Sequence, residues 1–169
     1  MKSKYLSLVA AAMVLCFNAC KKDDNSVRNQ IVGKWYQNKL VLHLSNGTAV
    51  DRDTTFTAAS FTKDDYFQFT SDKKAVLSQS GGYGVTGKFT STINGVPVAG
   101  LTHYTWTVAG DTLTLDDIDR NPSTEYLTAS PYQAETIVQL DATHLVLSTT
   151  YYSGQPLSLS TTSYFTKGK

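Results

Sequence analysis

The feature that most constrains this chain is a two-residue alternation of side-chain character, repeated along much of its length. In "DYFQFT", Phe67 and Phe69 fall on one side while Tyr66, Gln68 and Thr70 fall on the other. "HYTWTV" sets Tyr104, Trp106 and Val108 against His103, Thr105 and Thr107. "TLTLD" repeats the pattern with Leu113 and Leu115, and "HLVLSTTYY" with Leu145, Leu147, Thr149 and Tyr151. Successive side chains of a strand point to opposite faces, so this period predicts antiparallel strands with one face on a core and one in water. The crowding of Thr, Tyr, Val and Phe after Lys34 suits the same half-buried pleated surface.

The turn signals agree. Gly110-Asp111 suits a two-residue hairpin with Gly at its first central position, and Asn94-Gly95 is a strong hairpin signal, with Asn46-Gly47 another. "SDKK" at 71–74 and "DATH" at 141–144 read as further tight connections. Upstream, Val27 and Ile31 stand four apart, compatible with one or two helical turns ending at Gly33. These signals delimit about eight to ten short strands, with no room for parallel crossovers. A single antiparallel sheet of that many twisted strands closes or folds over, so the architecture is a barrel or a sandwich.

Gly33-Lys34-Trp35, opening the first strand after a short helical turn, resembles the G-x-W signature of lipocalins. "YFQFTSDKKAVLS", "YTWTVAGDTLTLDD" and "TIVQLDATHLVLSTTYY", followed by "SYFTK", resemble in order the lipocalin-like domain of many Bacteroidota lipoproteins, over most of residues 30–167. The resemblance implies an all-β fold: one antiparallel up-and-down barrel of about eight to ten strands with a short N-terminal helical turn, over residues 31–169.

The N-terminal segment reads as a targeting sequence. Lys2 and Lys4 precede a mostly apolar run, Tyr5 to Phe17, that is shorter than the ~20 residues of a membrane-spanning helix. Ala19-Cys20 at its end resembles the lipobox of bacterial lipoproteins, although Phe17 and Asn18 depart from the strict form. The resemblance implies a signal peptide at 1–19, a diacylglyceryl and palmitate-type modification at Cys20, and a tether over 20–30. Cys16 then leaves with the signal peptide, which excludes a disulfide or thiolate metal site. Two or more acyl chains hold a protein stably on a membrane where one is marginal. Lys22-Asp23-Asp24 resembles the surface-export tag of the same bacterial group, against the plainer reading of a charged linker. The expected location is the outer membrane, lipid-anchored and surface-exposed.

Charge and motifs exclude other classes. Of 15 Lys and Arg, loss of Lys2 and Lys4 leaves 13 against 14 acids, a formal charge of −1 without basic clusters. Nothing there provides a footprint for nucleic acid. His43, His103 and His144 each stand opposite the apolar face of their strand and are expected in solvent. "SGGYG" at 80–84 lacks the spacing of a nucleophile elbow, and no phosphate-binding glycine loop is present. Asp117, Asp119 and Asn121 have the alternate spacing of a calcium loop, but Pro122 and Thr128 occupy positions that need Gly and Glu, so a solvated acidic loop is expected. "DTT" and "DTL" resemble O-glycosylation triplets at Thr54 and Thr112. The chain is thus expected to be no enzyme, with no catalytic residue, cofactor or metal ligand.

The remaining lead is aromatic. Trp35, Phe67, Phe69, Tyr104, Trp106 and Tyr151 are the candidate barrel lining, with Tyr126 and Phe165 beside them. An eight-stranded barrel either holds one small ligand or is filled by side chains, and large rings favour filling. The expected function is non-catalytic binding of a small apolar or amphipathic ligand. The alternative is a surface interaction module on a filled barrel, whose loops, carrying Tyr83, Tyr126 and Tyr132, contact a protein or glycan partner.

Overall fold

A computed structural model describes residues 24–45, 52–84, 87–89, 92–93, 96–97, 100–119, 132–152 and 158–169. Within 83–97, and at Tyr132, Tyr151 and Tyr152, it describes backbone alone. Cys16, Cys20, Asn46-Gly47, Asn121 and Tyr126 lie outside the described residues.

The chain opens with α1 (Asp24–Ile31) and continues into β1 (Gly33–Ser45), β2 (Arg52–Phe56), a 3-10 turn (Ala58–Ser60), β3 (Tyr66–Phe69) and β4 (Lys74–Gln79). Four short strands follow: β5 (Gly82–Gly84), β6 (Gly87–Phe89), β7 (Thr92–Ile93) and β8 (Val96–Pro97). They pair off as two small ribbons, β5–β6 and β7–β8. The last five are β9 (Gly100–Ala109), β10 (Thr112–Asp117), β11 (Tyr132–Leu140), β12 (His144–Tyr152) and β13 (Ser158–Lys167). Eight strands, in the order β13-β12-β11-β10-β9-β4-β3-β1, form a ring that β1 closes by pairing with β13. Every pairing is antiparallel, and β2 is an additional strand on β1. The expected up-and-down barrel is therefore present, and closure of the ring removes the sandwich.

Strand direction divides the barrel into two ends. At one, the connections are short: 70–73, Gly110-Asp111 and 141–143. Ala109 pairs with Thr112 across Gly110-Asp111, and Gly110 adopts φ 62°, the positive φ that a side chain resists. The Asp141 carboxylate ties the third turn by accepting the Thr143 and His144 N–H groups at 2.8 Å. Those bonds, with that from Gln139, hold its carboxyl well below the ordinary carboxylate range. α1 covers this end. Val27 and Ile31 on its inner face are buried, and Asp24 accepts the Gly110 N–H at 2.8 Å.

The core at the covered end is built of large buried side chains. Trp35, Phe69, Trp106, Val108, Leu113 and Leu145 pack there with Val27 and Ile31. Phe69 meets Trp106 edge-on, ring centroids 5.7 Å apart. Both indoles satisfy their N–H groups on backbone carbonyls, Trp35 on Ile31 at 2.6 Å and Trp106 on Lys74 at 3.1 Å. This end is a floor, and the opposite end is the mouth.

Two bulges change the phase of the alternation. In β1, Trp35 and Gln37 face inward, the register shifts between Gln37 and Lys39, and Leu40 and Leu42 then face inward. In β11 the shift falls between Ile137 and Gln139, so that Leu140 turns inward and Val138 is left 61% exposed. An extra residue in one strand moves every later side chain to the other face.

One edge of β1 is shared by two strands. β3 pairs with Gly33–Tyr36 near the floor, and β2 with Leu40–Leu44 near the mouth. The gap between them is held by Asp65, which is fully buried. Its carboxylate accepts the Thr62 N–H at 2.7 Å, the Ser80 N–H at 2.7 Å and the Ser80 hydroxyl at 2.6 Å. Its carbonyl accepts the Gln37 N–H at 2.9 Å, replacing a ladder bond that neither strand supplies.

Candidate functional site

Toward the mouth the interior opens into a cavity of about 350 Å³. Its apolar wall includes Leu40 and Leu42 from β1, Phe67 from β3, Leu77 from β4 and Leu147 from β12. Its polar wall includes Gln37, Gln133, Glu135, Thr161 and Ser163. Space exists because β13 contributes small side chains here: Thr161 stands opposite Leu42 and Thr149, and Ser163 opposite Leu40 and Leu147. On the floor side the same strand places Phe165 between Gln37 and Leu145.

Glu135 is the distinctive residue. It pairs with Leu113 across the β10–β11 ladder, as Gln133 pairs with Leu115. Residues directly opposite on antiparallel strands point to the same face. Leu113 and Leu115 face the core, so Glu135 and Gln133 face it too. Glu135 is only 8% exposed, and its Oε1 accepts from Gln133 Nε2 at 2.5 Å. Burial pushes its carboxyl up to about 7, with the Gln133 amide opposing the shift. The Tyr104 phenol on the same wall is also pushed up, first by burial and then by the Asp117 carboxylate, with smaller effects from Glu135 and Asp119.

The predicted aromatic lining divides between the two halves. Phe67, Tyr104 and Phe165 line the cavity. Trp35, Phe69 and Trp106 are not among its lining residues: they are buried in the floor cluster with Val27 and Ile31 of α1. The side chain of Tyr151 lies outside the described residues, although its backbone pairs with Leu159. Gln37, Gln133, Glu135, Thr161 and Ser163 were missed, because a search for apolar faces passes over polar residues that point inward. The signal that could have found them is register, with Glu135 beside Leu113.

The three histidines sit at the surface, each against an aspartate. His43 Nδ1 lies 2.6 Å from Asp53, His103 Nδ1 2.6 Å from Asp119, and His144 Nδ1 3.2 Å from Asp141. In the acidic stretch, Asp119 is thus engaged by His103, and its own N–H donates to Asp117 at 2.9 Å. Among the described residues no group of three or more His, Cys, Asp or Glu side chains is placed to hold a metal ion. The arrangement can enclose one small amphipathic molecule, because polar and apolar side chains are interleaved around the space.

No protein-family model matches the chain, and no curated protein matches it. Two solved structures are similar to it. A lipocalin-like protein from Bacteroides uniformis superposes with a TM-score of 0.43 at 12% identity, covering 82% of this chain and 99% of the other. An uncharacterized protein from Bacteroides eggerthii superposes with a TM-score of 0.40 at 9% identity, again covering 82% of this chain and 99% of the other.

Proposed function

We propose that the protein is a lipid-anchored, non-catalytic binding protein of the outer envelope that holds one small amphipathic molecule in the mouth half of its barrel. The cavity carries this reading. Its volume of about 350 Å³ lies in the range of small-molecule pockets, ~300–1,000 Å³. Its lining interleaves leucines with inward polar groups that fix orientation. The loop-contact alternative rests on a filled interior, and this volume favours the ligand. The anchor is supported by the basic start, the short apolar run and Ala19-Cys20. It would hold the barrel at the membrane surface through acyl chains inserted in the bilayer.

The test is native mass spectrometry of the full-length protein after exposure to envelope extract. The wild type retains a small molecule at one per chain, and Ser163→Phe, which fills the cavity, does not. An identical, unloaded spectrum for both proteins overturns the reading.

A further inference from the structure

Among the described residues, the cavity is lined by a carboxyl group and by no cationic side chain. Gln133 is the only hydrogen-bond partner of the Glu135 carboxyl among the described residues. Among the described residues, no Lys, Arg or His side chain lines the space. A buried carboxylate without a counter-charge is costly, and one N–H donor does not satisfy its two oxygens. Structural reasons for a buried acid are visible elsewhere in this protein: Asp65 accepts from Thr62 and Ser80 and bridges two segments. Among the described residues Glu135 joins no two segments; its partner Gln133 is two residues away on the same strand.

We propose that the cavity selects a small organic cation with an apolar body, its protonated amine seated on Glu135. This inference rests on the cavity being a ligand site and adds the chemical class of the ligand. An ammonium supplies the missing charge and three N–H donors, which Glu135 and the side-chain oxygens of Gln133, Thr161 and Ser163 can accept. The apolar body lies against Leu40, Leu42 and Leu147. The aromatic rings of Phe67 and Tyr104 among the lining residues suit a cation as well. The volume equals that of roughly a dozen liquid waters at ~30 Å³ each, which suits a body of modest length. An amphiphile with a carboxylate head would meet Glu135 as a like charge and is disfavoured.

The groups around Glu135 leave its titration its own. Leu113 and Leu115 on β10, Leu147 and Thr149 on β12, Thr161 and Ser163 on β13 and Gln37 on β1 do not titrate. Among the described residues, Tyr104 is the other titratable group lining the cavity and, held above its ordinary value, is neutral at physiological pH. A cation therefore binds with loss of the Glu135 proton to the buffer. Its affinity rises with pH until Glu135 is ionised, near pH 7, and levels off above it.

The test uses full-length protein and two probes of equal length, n-octylammonium and n-octanol, with n-octanoate as the reversed charge. At pH 8, n-octylammonium binds about tenfold to a hundredfold tighter than n-octanol, as a charge-assisted hydrogen bond implies. Calorimetry in buffers of different ionisation heat shows about one proton released per cation at pH 6 and almost none at pH 9. In Glu135→Gln the ratio of the two affinities falls to about one and the proton release disappears. Carbon-13 titration of the Glu135 carboxyl in the wild type gives a second readout: its midpoint falls when n-octylammonium is added. Equal affinity for n-octylammonium and n-octanol, an undisplaced midpoint, or a preference that survives in Glu135→Gln overturns the inference. If n-octanol still binds in any of those cases, the ligand cavity stands and only the cation is lost. Failure of all three probes removes both.

Discussion

Lys167, at the end of the last strand, lies over the ring of Trp35, its Nζ 4.8 Å from the ring centroid. The two are direct partners in the β1–β13 ladder that closes the barrel. Lys167 Nζ also donates to the Gln30 carbonyl at the end of α1, at 3.0 Å. One side chain thus joins the first strand, the last strand and the covering helix. Its methylene stem passes so close to Gly33 that a Cβ there would stand 2.8 Å from Lys167 Cε, and Gly33 has φ 134°. The glycine of Gly33-Lys34-Trp35 is needed both for its backbone conformation and for the approach of this lysine.

Lys167→Ala is expected to lower stability by about 1–3 kcal/mol, from lost cation–π attraction and a lost charge-assisted hydrogen bond. Gly33→Ala is expected to cost a comparable ~1–3 kcal/mol through backbone strain. Part of the Gly33→Ala cost is steric, so it shrinks in the Lys167→Ala background. Urea unfolding of the two single variants and the double variant checks this. Strict additivity would mean that the two sites do not communicate.

Asp65→Ala removes the buried acceptor of the Thr62 amide and of the Ser80 amide and hydroxyl. Loss of these bonds predicts a destabilisation of about 1–3 kcal/mol. Hydrogen exchange is expected to accelerate first at Gln37 and Ser80, whose amides bond to Asp65. Unchanged exchange there would show that the latch is not what secures the shared edge of β1.

Glu135 makes stability depend on pH in a definite direction. Its folded value, about 7, is above the ordinary 4.5, so the folded state holds the proton more tightly. The stabilisation is complete below about pH 4.5 and is lost as pH rises through about 7. The whole shift corresponds to roughly 3 kcal/mol. Between pH 5 and pH 8 the stability of the wild type relative to Glu135→Gln is therefore expected to fall by about 2 kcal/mol. Guanidinium unfolding at the two pH values measures it, and parallel curves would contradict a buried, raised carboxyl.

The two halves of the interior should respond oppositely to added volume. Ser163→Phe places a ring in existing space and is expected to change stability by less than about 1 kcal/mol. Leu113→Phe, in the filled floor, is expected to cost about 1–3 kcal/mol by overpacking. Thermal unfolding of both variants is the check; equal penalties would mean that the cavity is not open space.

Cys20→Ser is expected to move the full-length protein from the detergent phase to the aqueous phase on phase separation, with loss of labelled palmitate. The barrel's circular dichroism should not change. Retention of the label would place the acyl chains elsewhere.

The N-terminal helical turn, the antiparallel strands, the hairpin at Gly110-Asp111 and the inward faces of β9, β10 and β12 were legible in the sequence by itself. Each rests on a local rule: apolar spacing of four in a helix, of two in a strand, and glycine where φ is positive. Tertiary structure alone decided which residues meet in the cavity. The bulges at β1 and β11 move later side chains to the other face, and no apolar count within either strand shows where that happens. Glu135 faces inward because its hydrogen-bonded register places it beside Leu113, while Val138, three residues on, is left in water. The separation of Trp35, Phe69 and Trp106 from Phe67 and Tyr104 follows from α1 covering one end and small β13 residues leaving room at the other. Alternation is set by the geometry of one strand, whereas its phase relative to the lumen is set by hydrogen bonds to strands far away in the chain.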